Sequence, residues 1–137
     1  MTASPALALQ AAAFAALAGD AALAGLLGGA RIHDSVPRNA PAPYVHLDEA
    51  ILRDWSTGSE AGAEVRFAIA VITPADGRAQ AFAIAERIRA LLHDAPLALD
   101  GHRLVNLRHQ ATETKKVRDR TLRRADLTFR AVIEPAS

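Results

Sequence analysis

The segment Glu64–Thr73, EVRFAIAVIT, constrains the fold most. Val65, Phe67, Ile69 and Val71 fall on one face of an extended chain, and Glu64, Arg66, Ala68 and Ala70 on the other, because successive strand side chains point to opposite sides. A strand with one apolar face must lay it against another layer, so this chain needs companion strands and a cover. Two further runs alternate in the same way. Tyr44–Leu52 sets Val45 and Leu47 against Tyr44, His46 and Asp48. Residues 122–133 set Ala125, Leu127, Phe129, Ala131 and Ile133 on one face, and Pro135 closes that strand. Ile32 lies in a shorter extended piece ahead of them.

Three segments read as the helical cover. Ser4 is a good N-cap and Pro5 a good first helical residue. Leu7, Phe14 and Leu17 follow at helical spacing, alanine fills most other positions, and Gly19 ends the helix. Asp20 caps a short second helix carrying Leu23, Leu26 and Leu27, which Gly28-Gly29 stops. Residues 78–93 repeat apolar side chains at Ala81, Ile84, Ala85, Ile88, Leu91 and Leu92. Arg87, Arg89 and His93 fall late in that helix, where positive charge suits the dipole. Residues 53–62, RDWSTGSEAG, read as a loop and Pro74–Gly77 as a turn. Residues 97–107, LALDGHRLVNL, read as a hairpin about Asp100-Gly101. The order predicts one α+β domain over 1–137, mainly an antiparallel sheet with helices packed on one face.

The chain has no cysteine, which excludes disulfides, thiolate nucleophiles and Cys-based metal sites. A net charge of +1 names no partner, so any electrostatic message is local. The N-terminal region is very apolar, but no Lys or Arg precedes Arg31, and Gln10, Gly19-Asp20 and Gly28-Gly29 interrupt it. That argues against an export signal or a membrane span and predicts a soluble protein made in the cytoplasm. His33, His46, His93, His102 and His109 form no His-x-His or HExxH pair. His33-Asp34 and His46-x-Asp48 flank one loop and are the arrangement from which a metal or acid–base site could be built; otherwise they are exposed loop and strand residues. Ser35, Ser56 and Ser59 sit in no nucleophile elbow, and no glycine-rich phosphate loop is present. Asp48 and Glu49 are neighbours on a strand, so they are expected on opposite faces rather than as a carboxylate pair. The pattern calls for no enzyme and no cofactor.

Three features suit contact with other molecules. In RIHDSVPRNAPAPYVHLDEA, Pro37, Pro41 and Pro43 surround Arg38 and fix an extended, low-entropy loop. Such a loop loses little freedom on contact, so it either delivers the next strand or meets a neighbouring subunit. Asp54-Trp55-Ser56 places the only tryptophan in a polar loop, where it either folds over the sheet edge or anchors an interface. KKVRDRTLRR carries Lys115, Lys116, Arg118, Arg120, Arg123 and Arg124 against Asp119. That field suits phosphates or an acidic protein surface; the alternative is a hairpin end kept soluble by charge. No aromatic residue lies there for base stacking.

Four runs in order, RIHDSVPRNAPAPYVHLDEA, DWSTGSEAGAEVRFAIAVIT, GRAQAFAIAERIRALLHD and LALDGHRLVNLRH, resemble the small tail-completion proteins of long-tailed phages. The likeness is closest to versions in prophages and gene transfer agents. Its most specific pieces are Ile32-x-Asp34-x-Val36-Pro37 with Ala40-Pro41-x-Pro43-Tyr44-Val45, and Asp54-Trp55-Ser56. The resemblance implies a tail terminator of α+β fold, a subunit of a hexameric ring on the head-proximal end of the tail tube. Such a ring stops tube polymerisation and joins the tail to a head-side connector or stopper. DNA passes through its lumen without sequence-specific binding. The resemblance implies contacts with the tail tube protein and with other copies, a place at the tail–neck junction of a particle assembled in the bacterial cytoplasm, and no cofactor, metal, membrane or catalytic residue.

A ring needs a heterologous interface that closes on itself. Pro37, Arg38, Pro41, Pro43, Asp54, Trp55 and Ser56 are candidates for it. The basic segment 115–124 faces either the lumen or a protein; a lumen that lets DNA slide argues for the protein. Three other readings stay open: another neck or head-closure protein, a metal-dependent hydrolase using His33, Asp34, His46 and Asp48, and a nucleic-acid-binding module resting on residues 115–124.

Overall fold

The computed structural model describes residues 4–56, 58, 61–117 and 121–136. Its elements are α1 (Pro5–Ala18), α2 (Ala21–Leu27), β1 (Ile32–His33), β2 (Tyr44–Asp54), β3 (Ala63–Pro74), α3 (Arg78–Leu92), β4 (His102–Lys116) and β5 (Leu122–Pro135). One five-stranded sheet has the order β1-β2-β3-β5-β4. β1 pairs with β2 in parallel, and the other three pairings are antiparallel. β3 and β4 therefore run the same way with β5 between them, and α3 is the crossover of a split β-α-β unit. This is the α+β architecture expected, with the helices on one face.

The local signals act as physical chemistry requires. The Ser4 hydroxyl accepts the Leu7 N–H at 3.1 Å and Pro5 opens α1. The Asp20 carboxylate accepts the Leu23 N–H at 2.9 Å, and Gly28, at φ 78°, closes α2 in the left-handed region. Arg87 on α3 grips that same carboxylate with two hydrogen bonds of 2.8 and 2.7 Å. First the Arg87 hydrogen bond and then the Leu23 N–H hold the Asp20 carboxyl down to about 2. One acid thus caps α2 and ties it to α3.

The core lies between the helices and one face of the sheet. Val45, Leu47, Val65, Phe67, Ile69, Val71, Leu107, Leu127, Phe129 and Ile133 meet Leu9, Leu17, Leu23, Leu27, Ile84, Ile88 and Leu92. The Phe67 and Phe129 rings stack at 5.4 Å. On α3 the expected stripe is buried, with Leu91 partly so. On α1 the buried residues are Ala8, Leu9, Ala13 and Leu17, while Leu7 is 58 % exposed and Phe14 only partly covered. A helix apolar almost all round carries no period that selects a face, so packing selects it.

Two boundaries differ from the sequence reading. β2 continues past Leu52: Arg53 and Asp54 pair with Glu64 and Ala63, and the Trp55 N–H donates to the Gly62 carbonyl at 2.8 Å. Asp100-Gly101 does turn the chain, with Gly101 at φ 76°, but the turn closes only one bridge, Leu99 to His102. β4 instead runs to Lys116 against β5. Residues 108–116, RHQATETKK, are polar on both faces, so alternation could not announce this strand. Among the described residues no single helix is long and apolar enough to cross a membrane.

Candidate interaction surface

The alternation that sends apolar side chains under the helices sends their neighbours to the outer face of the sheet. There Glu64, with its side chain only 4 % exposed, accepts Arg66 Nε at 3.1 Å and Arg130 Nε at 2.6 Å. Burial opposes ionisation of Glu64, but the hydrogen bonds from Arg130 and Arg66 outweigh it and hold the carboxyl below its ordinary range. The Trp55 ring covers the Arg130 guanidinium, 4.8 Å from ring centroid to Cζ, and stays 46 % exposed. Trp55 thus caps a charge cluster and still presents about half its surface to solvent.

A second cluster lies at the other end of the same face. Arg124 bridges Asp48 and Asp126, with Nε 2.8 Å from the latter, and Lys115 reaches Asp126 at 2.9 Å. Burial works against the Arg124 charge, but the hydrogen bonds it donates to Asp126 and Asp48, together with the charges of those two carboxylates, outweigh it and its pKa rises. Two cations of the basic segment are therefore neutralised by acids outside it, Asp126 just beyond its end and Asp48 from β2. Arg123 Nε donates to the Ala75 carbonyl at 3.3 Å, and Lys116 is exposed. Arg118, Arg120 and Ser59 lie outside the described residues.

The register of β2 against β3 shifts between Leu47 and Ala50, a β-bulge. It overturns the expectation that Asp48 and Glu49 take opposite faces. Asp48 meets Arg124 on the outer face. Glu49 lines a shallow groove of about 330 Å³ on that same face, with Ile51, Arg66, Gln110 and Thr128.

The candidate residues fall at two ends of the sheet rather than in one site. The loop carrying Pro37, Arg38, Pro41 and Pro43 enters β2 at the end where β4 stops and β5 begins, so it shares that end with Lys115, Lys116, Arg123 and Arg124. Pro37, Arg38 and Pro41 are exposed, Pro43 is half-buried, and the Ala42–Pro43 peptide is cis. Asp54, Trp55 and Ser56 occupy the opposite end of β2. There Asp54 accepts the Ser56 N–H at 2.8 Å, and hydrogen bonds from Ser56 hold the Asp54 carboxyl low. His33 and His46 flank the Tyr44 ring at centroid distances of 5.8 and 6.2 Å, while Asp48 is engaged by Arg124. The described residues contain no group of three His, Cys, Asp or Glu side chains able to hold a metal ion, so the hydrolase reading has no geometric support.

Sequence reasoning missed one apolar feature. Ile51, 58 % exposed, and Leu52, 47 % exposed, protrude on opposite faces of β2 beside Trp55. The signal was present: two adjacent apolar residues inside an alternating strand cannot both be core.

The chain matches the family of tail completion protein gp17 over residues 11–134. It is also similar to a chain in the solved virion of the native gene transfer agent particle. That likeness has 40 % sequence identity and a TM-score of 0.88, and it covers 96 % of this chain and 98 % of that one. No curated protein matches.

Proposed function

The chain belongs to the tail completion protein gp17 family, and on that premise we propose that it is a tail terminator of a phage-like particle. It is a structural virion component with a non-catalytic role. Its copies form a hexameric ring on the head-proximal end of the tail tube, stop the tube growing and join it to the head-side connector. The observation that carries this reading is the 40 % identity, along nearly the full length of both chains, to a chain of a gene transfer agent virion.

The surfaces suit the role. A ring subunit needs contacts at two sides, and this chain carries a stiff proline loop at one end of β2 and exposed Ile51, Leu52 and Trp55 at the other. The outer face of the sheet also suits a path for DNA or a polar protein contact. Its cations Arg66, Arg130, Arg124 and Lys115 are paired with Glu64, Asp126 and Asp48, which reduces the attraction of this face for phosphate. Such pairing lets a polyanion move past.

Electron microscopy of particles from a producing strain lacking this chain tests the reading. Abnormally long, headless tubes are expected. Tails of normal length that fail to join heads would move the chain to a head-closure position. Normal, complete particles would end the proposal.

A further inference from the structure

We propose that copies of this chain join edge to edge, the C-terminal half of β2 in one copy adding antiparallel to the C-terminal half of β4 in the next. The inference rests on the ring reading above and names the contact that builds the ring. It comes from what is left open at the two borders of the sheet.

β2 is bordered by β1 only at Val45 and His46. β4 is bordered near its middle by the end of α3. The Asp94 N–H donates to the Leu107 carbonyl at 2.8 Å, and His93 Nδ1 accepts the His109 N–H at 3.0 Å. Residues 48–54 and residues 110–116 therefore remain as strand edges of equal length, and among the described residues no strand lies beyond them. From Ile51 to Asp54 the first of these is exposed on both faces as well as along its edge, and it carries Ile51 and Leu52. A strand open on three sides is a template for another strand.

Charge selects the other border of a second copy as the occupant. One edge begins with Asp48-Glu49 and the other ends with Lys115-Lys116. Antiparallel pairing with Glu49 opposite Lys115 sets Ile51 opposite Glu113 and Arg53 opposite Ala111, all on the outer face. Leu52 then meets Thr112 on the helix face, so both faces continue across the joint, and a slip of one residue would break that match. Pairing like edges is worse. β2 on β2 centred at Ile51 brings Asp48 to Asp54, and β4 on β4 centred at Glu113 sets that acid against its own copy. A joint between unlike edges is heterologous, the kind that closes rings. The free halves also lie at opposite ends of the sheet, so each copy is shifted along its neighbour. Sheets that close into barrels need such a stagger.

Because the chain has no cysteine, engineered thiols read the contact directly. The test is Ile51→Cys with Glu113→Cys, introduced into the producing strain, with purified particles oxidised and run on a non-reducing gel. Within one copy β3 and β5 hold these positions apart by at least roughly 14 Å, three strand spacings, too far for a disulfide. The double variant should give a ladder of multiples of the chain, and either single variant nothing beyond a dimer. Ile51→Cys with Thr112→Cys places the thiols on opposite faces and should give no ladder. Where the first pair fails to fold, Arg53→Cys with Ala111→Cys, both at exposed positions, reads the same register. Particles that contain the chain yet yield no ladder from either in-register pair, or an equal ladder from the out-of-register pair, would overturn the edge contact and leave the ring intact. Complete particles formed without the chain would overturn the ring reading itself.

Discussion

The two faces of the sheet are made from alternate residues of the same strands, yet they are held by opposite means. Under the helices, Val65, Phe67, Ile69, Leu127 and Phe129 exclude water, and no charge is needed. On the outer face, Glu64 with Arg66 and Arg130, and Asp126 with Arg124, Lys115 and Asp48, hold the surface by lateral ion pairs. The apolar face stabilises by removing area from water, which is undirected and is not screened by salt. The charged face contributes less, because each pair exchanges hydration for a partner. The division leaves one face committed to the fold and the other free for contact without loosening it.

The largest effect expected comes from breaking the apolar face. Phe129 is fully buried and stacked on Phe67. Phe129→Ala should cost about 3–5 kcal/mol in urea unfolding, nearly independent of salt. A cost below about 1 kcal/mol would mean that the helices do not seal the core as described. The corresponding cut on the outer face is Arg124→Met. Its side chain is 24 % exposed and its loss leaves Asp48 and Asp126 facing each other with Lys115 alone. The expected cost is roughly 1–2 kcal/mol at low salt, shrinking in about 1 M salt as screening removes the repulsion. An equal cost at both salt concentrations would erase the distinction between the faces.

This division was only half legible in the sequence. β3 and β5 could be read because a packed layer imposes strict alternation, and α3 because its polar and apolar faces differ. The buried face of α1 could not, since alanine and leucine surround it and Leu7 satisfies the same period as Leu9. β4 beyond Leu107 was hidden by polarity on both faces. The outer charge clusters were only partly legible: Glu64 and Arg66, and Arg124 and Asp126, share a strand face at i, i+2, but Arg130 meets Glu64 and Arg124 meets Asp48 only across strands, and no local pattern announces the bulge between Leu47 and Ala50 that turns Glu49 to the same face. The basic segment was visible as charge, but the acids that neutralise Lys115 and Arg124 are supplied by β2 and β5.

A smaller effect isolates the tie between α2 and α3 by pH. The Asp20 carboxyl is held down to about 2 in the folded chain by Arg87 and the Leu23 N–H, against an ordinary value of 3.8. A folded pKa below the unfolded one means that the unfolded chain takes up protons first. The contribution is therefore full above the ordinary value and is lost as pH falls through about 2. Melting temperature recorded from pH 5 down to pH 2 should fall more steeply for the natural chain than for Asp20→Asn, which lowers stability at neutral pH but removes this proton linkage. Parallel curves would show that the Arg87 contact is absent in solution.

The smallest effect on the isolated fold is expected where the chain looks most exposed. Ile51 and Leu52 protrude from β2 on opposite faces, 58 % and 47 % exposed. Replacing both by serine removes little buried area, so the unfolding free energy should change by no more than about 0.5 kcal/mol. Their cost to the monomer is of another kind: an apolar strand end with an open edge invites association. If that association is the ring contact, the serine variant should melt like the natural chain and yet fail to enter particles, leaving tubes as long as those of the deletion strain. Stability and assembly would then be carried by different residues of one sheet. A variant that melts several degrees lower would instead place Ile51 and Leu52 in the core, and one that enters particles at the natural level would place the subunit contact elsewhere.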